Sequence, residues 1–248
     1  MVFGIVIVIV VIIIIILVFL YFKIRRNPNA GIISHFSEIK DSFQTGDLML
    51  FSCNRRHLPG GWIDAAYQTL SDCMFGHLGL ILRHKDKIYV VDCVPSDQTG
   101  NLGSYFLNND YSQGGIRIIK IEYLLHRYTK DYNGVYGIKH ISKPINNHRF
   151  NKVLKTFTGT TYENKMFFLK LAFVDAFISK ERAIKLLGSD PYAHTDRMMC
   201  SEFVHRLLHK CGILKKYPSK LFWPFLVLSP EFEDLEIVKY GPCIKFRL

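Results

Sequence analysis

The chain lacks any Cys-x-x-Cys pair: its six cysteines stand at 53, 73, 93, 200, 211 and 243. In a cytosolic setting such cysteines are expected as free thiols rather than as a disulfide framework. No Asn-x-Ser/Thr glycosylation acceptor occurs, which agrees with a cytosolic domain. There is no internal repeat. No nucleic-acid motif accompanies the net charge of +11. The basic excess therefore reads as a solvated surface beside anionic lipid headgroups, and specific nucleic-acid binding is not expected.

What is present begins with Val2–Phe22, an apolar, uncharged run. It is long enough to cross a bilayer core. It has neither the basic n-region nor the Ala-x-Ala site of a cleaved signal peptide. Lys23, Arg25 and Arg26 follow at once, so the positive flank, and everything after it, is expected on the cytosolic side of a single-pass membrane protein. The expected organisation is an anchor with its basic flank over residues 1–26, a juxtamembrane linker over 27–44, and one globular domain over 45–248. The expected partner of the anchor is membrane lipid. The oligomeric state is open.

Within the domain, Leu48–Ser52 reads as a strand after the turn Thr45-Gly46-Asp47. His77–His84 and Lys87–Val94 read as a β-hairpin, from their β-branched and apolar content. Ile116–Ile121 reads as a third strand. Helices are expected over Trp62–Leu70, Asn147–Thr158, Asn164–Leu187 and Arg197–Cys211, the last stopped by Gly212. The proline-bearing tail is irregular, with short strands at Leu235–Val238 and Cys243–Phe246. The pattern is α+β: a mainly antiparallel sheet packed on segregated helices.

Three residues invite chemistry. A thiol at a helix N-terminus, facing an imidazole oriented by a carboxylate, is a recurring way to build a thiolate nucleophile. Cys200 opens the helix-like run, His77 heads one hairpin strand and Asp92 lies in the other. If the turn is centred on Lys85-Asp86, Gly79 faces Asp92 and His77 faces Val94. His77 and Asp92 then share a sheet face as diagonal neighbours. A slip of one residue would part them. Taken singly, Cys200 and His77 are more often structural. Asp92 inside an apolar strand needs a partner. His84, His194, His205 and His209 compete for the role of His77, and Cys73 and Cys93 for that of Cys200. The i, i+4 pair His205/His209 has no carboxylate beside it, so no metal is expected.

At these residues the chain resembles the circularly permuted, papain-like thiol hydrolases of the NlpC type. That group includes YiiX/YaeF-like hydrolases, lecithin–retinol acyltransferase-like enzymes and relatives in large DNA viruses. The matching pieces are Gly46-Asp47-Leu48-Met49-Leu50-Phe51, Gly76-His77-Leu78-Gly79-Leu80, Tyr89-Val90-Val91-Asp92, Gly159-Thr160-Thr161-Tyr162 and Cys200-Ser201-Glu202-Phe203-Val204. They span about Thr45–Leu208. The resemblance implies a permuted papain-like fold, with His preceding Cys along the chain. It implies Cys200 as nucleophile, His77 as general base and acid, Asp92 as the group orienting His77, and Tyr162 lining a substrate pocket. It implies no cofactor. Asp92 departs from the longer Glu often found at its position. The expected activity is cleavage or transfer at an ester or amide, on lipid or lipidated substrates given the anchor. The alternatives are a cysteine peptidase or amidase on proteins, and a non-catalytic membrane-anchored scaffold or virion protein.

Overall fold

The structure, a computed structural model, describes residues 34–52, 73–95, 105–106, 114–132, 134–163 and 197–248. The expected anchor Val2–Phe22 and the expected helices Trp62–Leu70 and Asn164–Leu187 lie outside the described residues. Among the described residues, no helix is long and apolar enough to cross a membrane.

The strands are β1 (Ser34–His35), β2 (Leu48–Ser52), β3 (Phe75–His84), β4 (Lys87–Val94), β5 (Tyr105–Phe106), β6 (Gly115–Lys120), β7 (Tyr136–Lys139), β8 (Thr161–Tyr162), β9 (Arg197–Met198) and β10 (Ile244–Arg247). The helices are α1 (Phe36–Ile39), α2 (Ile121–Tyr132), α3 (Asn147–Lys155), α4 (Cys200–Lys210) and α5 (Pro230–Leu235). Eight strands form one sheet in the order β1-β10-β7-β2-β3-β4-β6-β5, and β8 pairs with β9 in a second, two-stranded sheet. The large sheet is antiparallel except where β1 runs parallel to β10. This is the α+β architecture that the pattern predicts.

Both faces of the large sheet are covered. Even positions of β3 (Leu78, Leu80, Leu82) pack with Phe203, Val204, Leu207 and Leu208 of α4 and with Phe150 and Leu154 of α3. Ile81 turns the other way, to a second core with Leu124, Leu125 and Tyr128 of α2. Period-two alternation in the strand thus feeds two cores. α2 escaped the sequence reading, although Ile121, Leu124, Leu125 and Tyr128 repeat at helical spacing and are buried. Strand β7 was missed as well.

Three boundaries need correction. Residues 34–44, expected within a linker, include β1 and α1, and Phe36 and Phe43 pack against Phe246. Arg197–Met198 pairs with Thr161–Tyr162 as a strand, so the helix begins at Cys200. Leu235–Val238 is not a strand. Pro230 at the first turn of α5 starts a helix that runs to Leu235, and a single bridge joins Leu214 to Glu236.

Candidate active site

The hairpin turns at Lys85-Asp86 and pairs Gly79 with Asp92, the expected register. The ladder stops there. The expected partnership of His77 with Val94 does not form, because β4 continues alone along β6, with Cys93 facing Ile116 and Val94 facing Gly115. β3 continues along β2, with His77 facing Phe51. The two strands therefore part just beyond Gly79, and the N-terminus of α4 reaches the opening. The Leu78 backbone hydrogen-bonds the Cys200 sulfur, and so does that of Ser201. On the β4 side, the Cys93 thiol donates to the Met198 carbonyl at 3.4 Å.

This split brings two faces of the sheet together. The His77 ring lies on the α2 side, 5.4 Å from Phe51 and 6.4 Å from Tyr128 between centroids. Helix α4 lies on the opposite side. At the gap the imidazole hydrogen-bonds the Cys200 sulfur. Its Nε2 stands 3.0 Å from Asp92 Oδ2, leaving Nδ1 for the thiol. Gly79 allows the close approach: a Cβ there would lie 2.8 Å from Val90 Cγ1 and 3.3 Å from Asp92 Cβ.

Behind Asp92 stands a residue the sequence reading did not single out. Arg117 faces Asp92 across the β4–β6 ladder. It donates from Nε to Oδ1 at 3.0 Å and from Nη2 to Oδ2 at 2.7 Å. It also hydrogen-bonds Tyr128. A two-pronged guanidinium–carboxylate contact is the strong form of such a pair. The sequence signal was an arginine set among isoleucines in Ile116-Arg117-Ile118-Ile119, a buried charge that needs a partner.

All four groups are buried. Burial disfavours the Asp92 charge, but the Arg117 guanidinium and the His77 contact outweigh it and hold the carboxyl below the usual range. Burial likewise opposes an imidazolium at His77. The negative charge of the Cys200 thiolate, then the hydrogen bond to Asp92, override it and push His77 up to about 9. Burial resists a thiolate at Cys200, and the charge of His77 lowers its pKa nonetheless. The helix N-terminus adds to this, since Cys200 is the first residue of α4 and the dipole there favours an anion. The two directions together describe a thiolate–imidazolium pair.

The supporting residues have clear roles. Met199 precedes α4 in extended conformation and offers no side-chain cap. Glu202 accepts a hydrogen bond from its backbone instead, and pairs with Arg206 at 2.6 Å. Asp47, in the Gly-Asp piece, accepts from the backbone of Gln44 and of Ile141 and pairs with His140 Nδ1 at 2.8 Å, fastening the start of β2. Tyr162 pairs in register with Met198, two residues before Cys200, and packs half-buried on the α4-side core.

The competitors are placed elsewhere. Cys93 points to Met198, and burial followed by the charge of Cys200 keeps its thiol protonated. Cys73 donates to the Phe75 carbonyl. His205 bonds Ser219 Oγ and the Lys215 carbonyl, and burial pushes it down to about 4. His209 bonds the Leu214 carbonyl. His84 is exposed at the hairpin turn, and His194 lies outside the described residues. Among the described residues no cluster of three His, Cys, Asp or Glu could hold a metal.

No protein-family model matches the chain. It is 35% identical over 249 residues to "Uncharacterized protein R372" of Acanthamoeba polyphaga mimivirus, with 99% of this chain and 98% of that one covered. Among solved structures it is similar to the crystal structure of metalloprotein yiiX from Escherichia coli O157:H7, at a TM-score of 0.43 and 12% identity, over 80% of this chain and 96% of that one.

Proposed function

The chain belongs to the same family as the mimivirus protein R372, and from the geometry of its own site we propose that it is a cysteine hydrolase or acyltransferase acting on an ester or amide. The observation that carries this reading is the hydrogen bond between the Cys200 sulfur, at the head of α4, and an imidazole backed by Asp92. No structural need calls for that arrangement. Two opposite charges buried beside a third and a fourth are costly to desolvate.

In the proposed reaction the Cys200 thiolate attacks the acyl carbon, and a sulfur–carbon bond forms. The bond to the leaving oxygen or nitrogen breaks as His77 gives that atom its proton. His77, now neutral, takes a proton from water or from an acceptor alcohol or amine. The oxygen or nitrogen so activated displaces the sulfur and regenerates the thiolate. The backbone N–H of Cys200, at the helix N-terminus, is the proposed donor to the oxyanion. Asp92 holds the imidazole in one orientation, and Arg117 holds Asp92. Tyr162 is the proposed pocket residue.

Residues 1–26 are proposed as a membrane anchor, with the domain on the cytosolic side, which brings the site to acyl lipids or lipidated proteins. Labelling with acyl-directed activity probes tests the reading. The wild-type protein should be labelled and Cys200→Ala should not. Comparing lipid esters with peptide amides then separates the lipid reading from a peptidase. Equal labelling of wild type and Cys200→Ala would leave only a tethered scaffold.

A further inference from the structure

From residue 133 to residue 162 the chain contains no Asp or Glu, yet it carries Lys143, Arg149, Lys152 and Lys155 at exposed positions. Helix α3 explains their grouping. It buries Phe150 and Leu154 against the sheet and packs Val153 on the same core, which leaves Arg149, Lys152 and Lys155 facing outward. Lys210 of α4 joins this face, donating to Thr156 Oγ1 at 3.1 Å. Among the described residues none of Lys143, Arg149, Lys152 and Lys155 takes part in an ion pair.

At the N-terminal end of α3 the face continues into an open cavity of about 560 Å³, lined in part by Gln44, Thr45, Arg83, Lys85 and His148. Arg83 donates to the backbone carbonyls of Asp41 and Phe43, at 2.8 and 3.0 Å. Those contacts place its guanidinium without neutralising it. Asp86 is the one acid in the adjoining turn.

We propose that this predominantly basic face, formed by α3 and the β3–β4 turn, docks on the anionic phospholipid headgroups of a membrane. Two observations select this occupant. The charge on α3 is of one sign and solvent-facing, the basic groups outnumber Asp86 in the adjoining turn, and each Lys or Arg near an anionic bilayer multiplies affinity roughly fivefold. The second is where the chain enters the fold. The carbonyls that hold Arg83 belong to Asp41 and Phe43, a short distance along the chain from the apolar run Val2–Phe22 and its basic flank. A bilayer that took up that run would lie within reach of the basic face. The β3–β4 turn is also the end of β3 remote from His77, about 23 Å away along the strand. Docking there leaves the Cys200 site open.

The test is amine acetylation of the full chain, read by mass spectrometry at each lysine, in the presence of phosphatidylcholine vesicles with or without phosphatidylserine. Both vesicles accept an apolar anchor equally, so the comparison isolates the basic face. Labelling of Lys85, Lys143, Lys152 and Lys155 should fall several-fold with phosphatidylserine and recover in high salt. Labelling of Lys130, on α2 across the sheet, should not change. The variant Arg149→Glu/Lys152→Glu/Lys155→Glu should lose the protection at Lys85 and Lys143 while keeping its probe labelling at Cys200. Equal footprints in the two vesicles would overturn the proposal. Protection by duplex DNA but not by phosphatidylserine would overturn it in favour of a nucleic-acid partner.

Discussion

Arg117 grips Asp92 from a facing strand, with Nε on one carboxylate oxygen and Nη2 on the other. His77 takes its remaining contact from the oxygen that Nη2 also holds. The carboxylate therefore cannot turn without breaking three contacts, and the imidazole inherits that rigidity.

Removing the guanidinium should consequently harm both stability and chemistry. Arg117→Met strands a buried carboxylate, and losing one partner of a buried pair costs about 3–5 kcal/mol. Urea denaturation at neutral pH measures it. The sign of the pH effect follows from Asp92. Its carboxyl is held low in the folded state, so it contributes stability above its ordinary value of 3.8 that is lost as the pH falls through its folded pKa. Without Arg117 that acid limb should move to higher pH. Arg117→Lys keeps the charge but not the fork, and should fall between wild type and Arg117→Met.

His77 titration should depend on Cys200. The thiolate is the largest influence raising His77 to about 9, so Cys200→Ala should lower its pKa. The His77 contribution to stability is complete below 6.5 and lost as pH rises through 9. Cys200 has the opposite sign, a contribution present above the free-cysteine value and lost as pH falls through its lowered folded pKa. Where the folded pair stands as thiolate and imidazolium while the unfolded pair is neutral, both bind one proton, so the two slopes oppose each other. Following the His77 ring protons by NMR in wild type and Cys200→Ala checks the shift. An unchanged midpoint would separate the two residues.

Gly79→Ala should be disruptive out of proportion to one methyl group. The new carbon would meet Val90 and Asp92 where β3 and β4 begin to part. Overpacking of this kind costs about 1–3 kcal/mol. Thiol alkylation, measured where the variant is still folded, should also slow, because displacement of Asp92 loosens His77.

The register that joins Gly79 to Asp92 was legible because a two-residue turn fixes a hairpin and alternation fixes its faces. Where the pairing ends was not legible. Nothing in the local sequence says that β4 leaves β3 at Gly79 and goes on with β6. Arg117 was hidden for a related reason. The connection from β4 to β6 spans residues 95 to 114, too long a stretch for its length to set a register. Cys200 was readable as a helix start from Gly212 backwards, through the apolar stripe Phe203, Val204, Leu207 and Leu208. The strand Arg197–Met198 before it depends on Thr161–Tyr162, far away in the chain, and could not be read locally.

The central claim is that Cys200 is a thiolate because His77 makes it one. The direct measurement is the rate of Cys200 alkylation by iodoacetamide as a function of pH, resolved by mass spectrometry, in wild type and His77→Ala. The account predicts rapid alkylation that persists well below the free-cysteine value of about 8.5, and a loss of at least roughly tenfold near neutral pH in His77→Ala. A wild-type profile that rises only near 8.5, unchanged by His77→Ala, would contradict it.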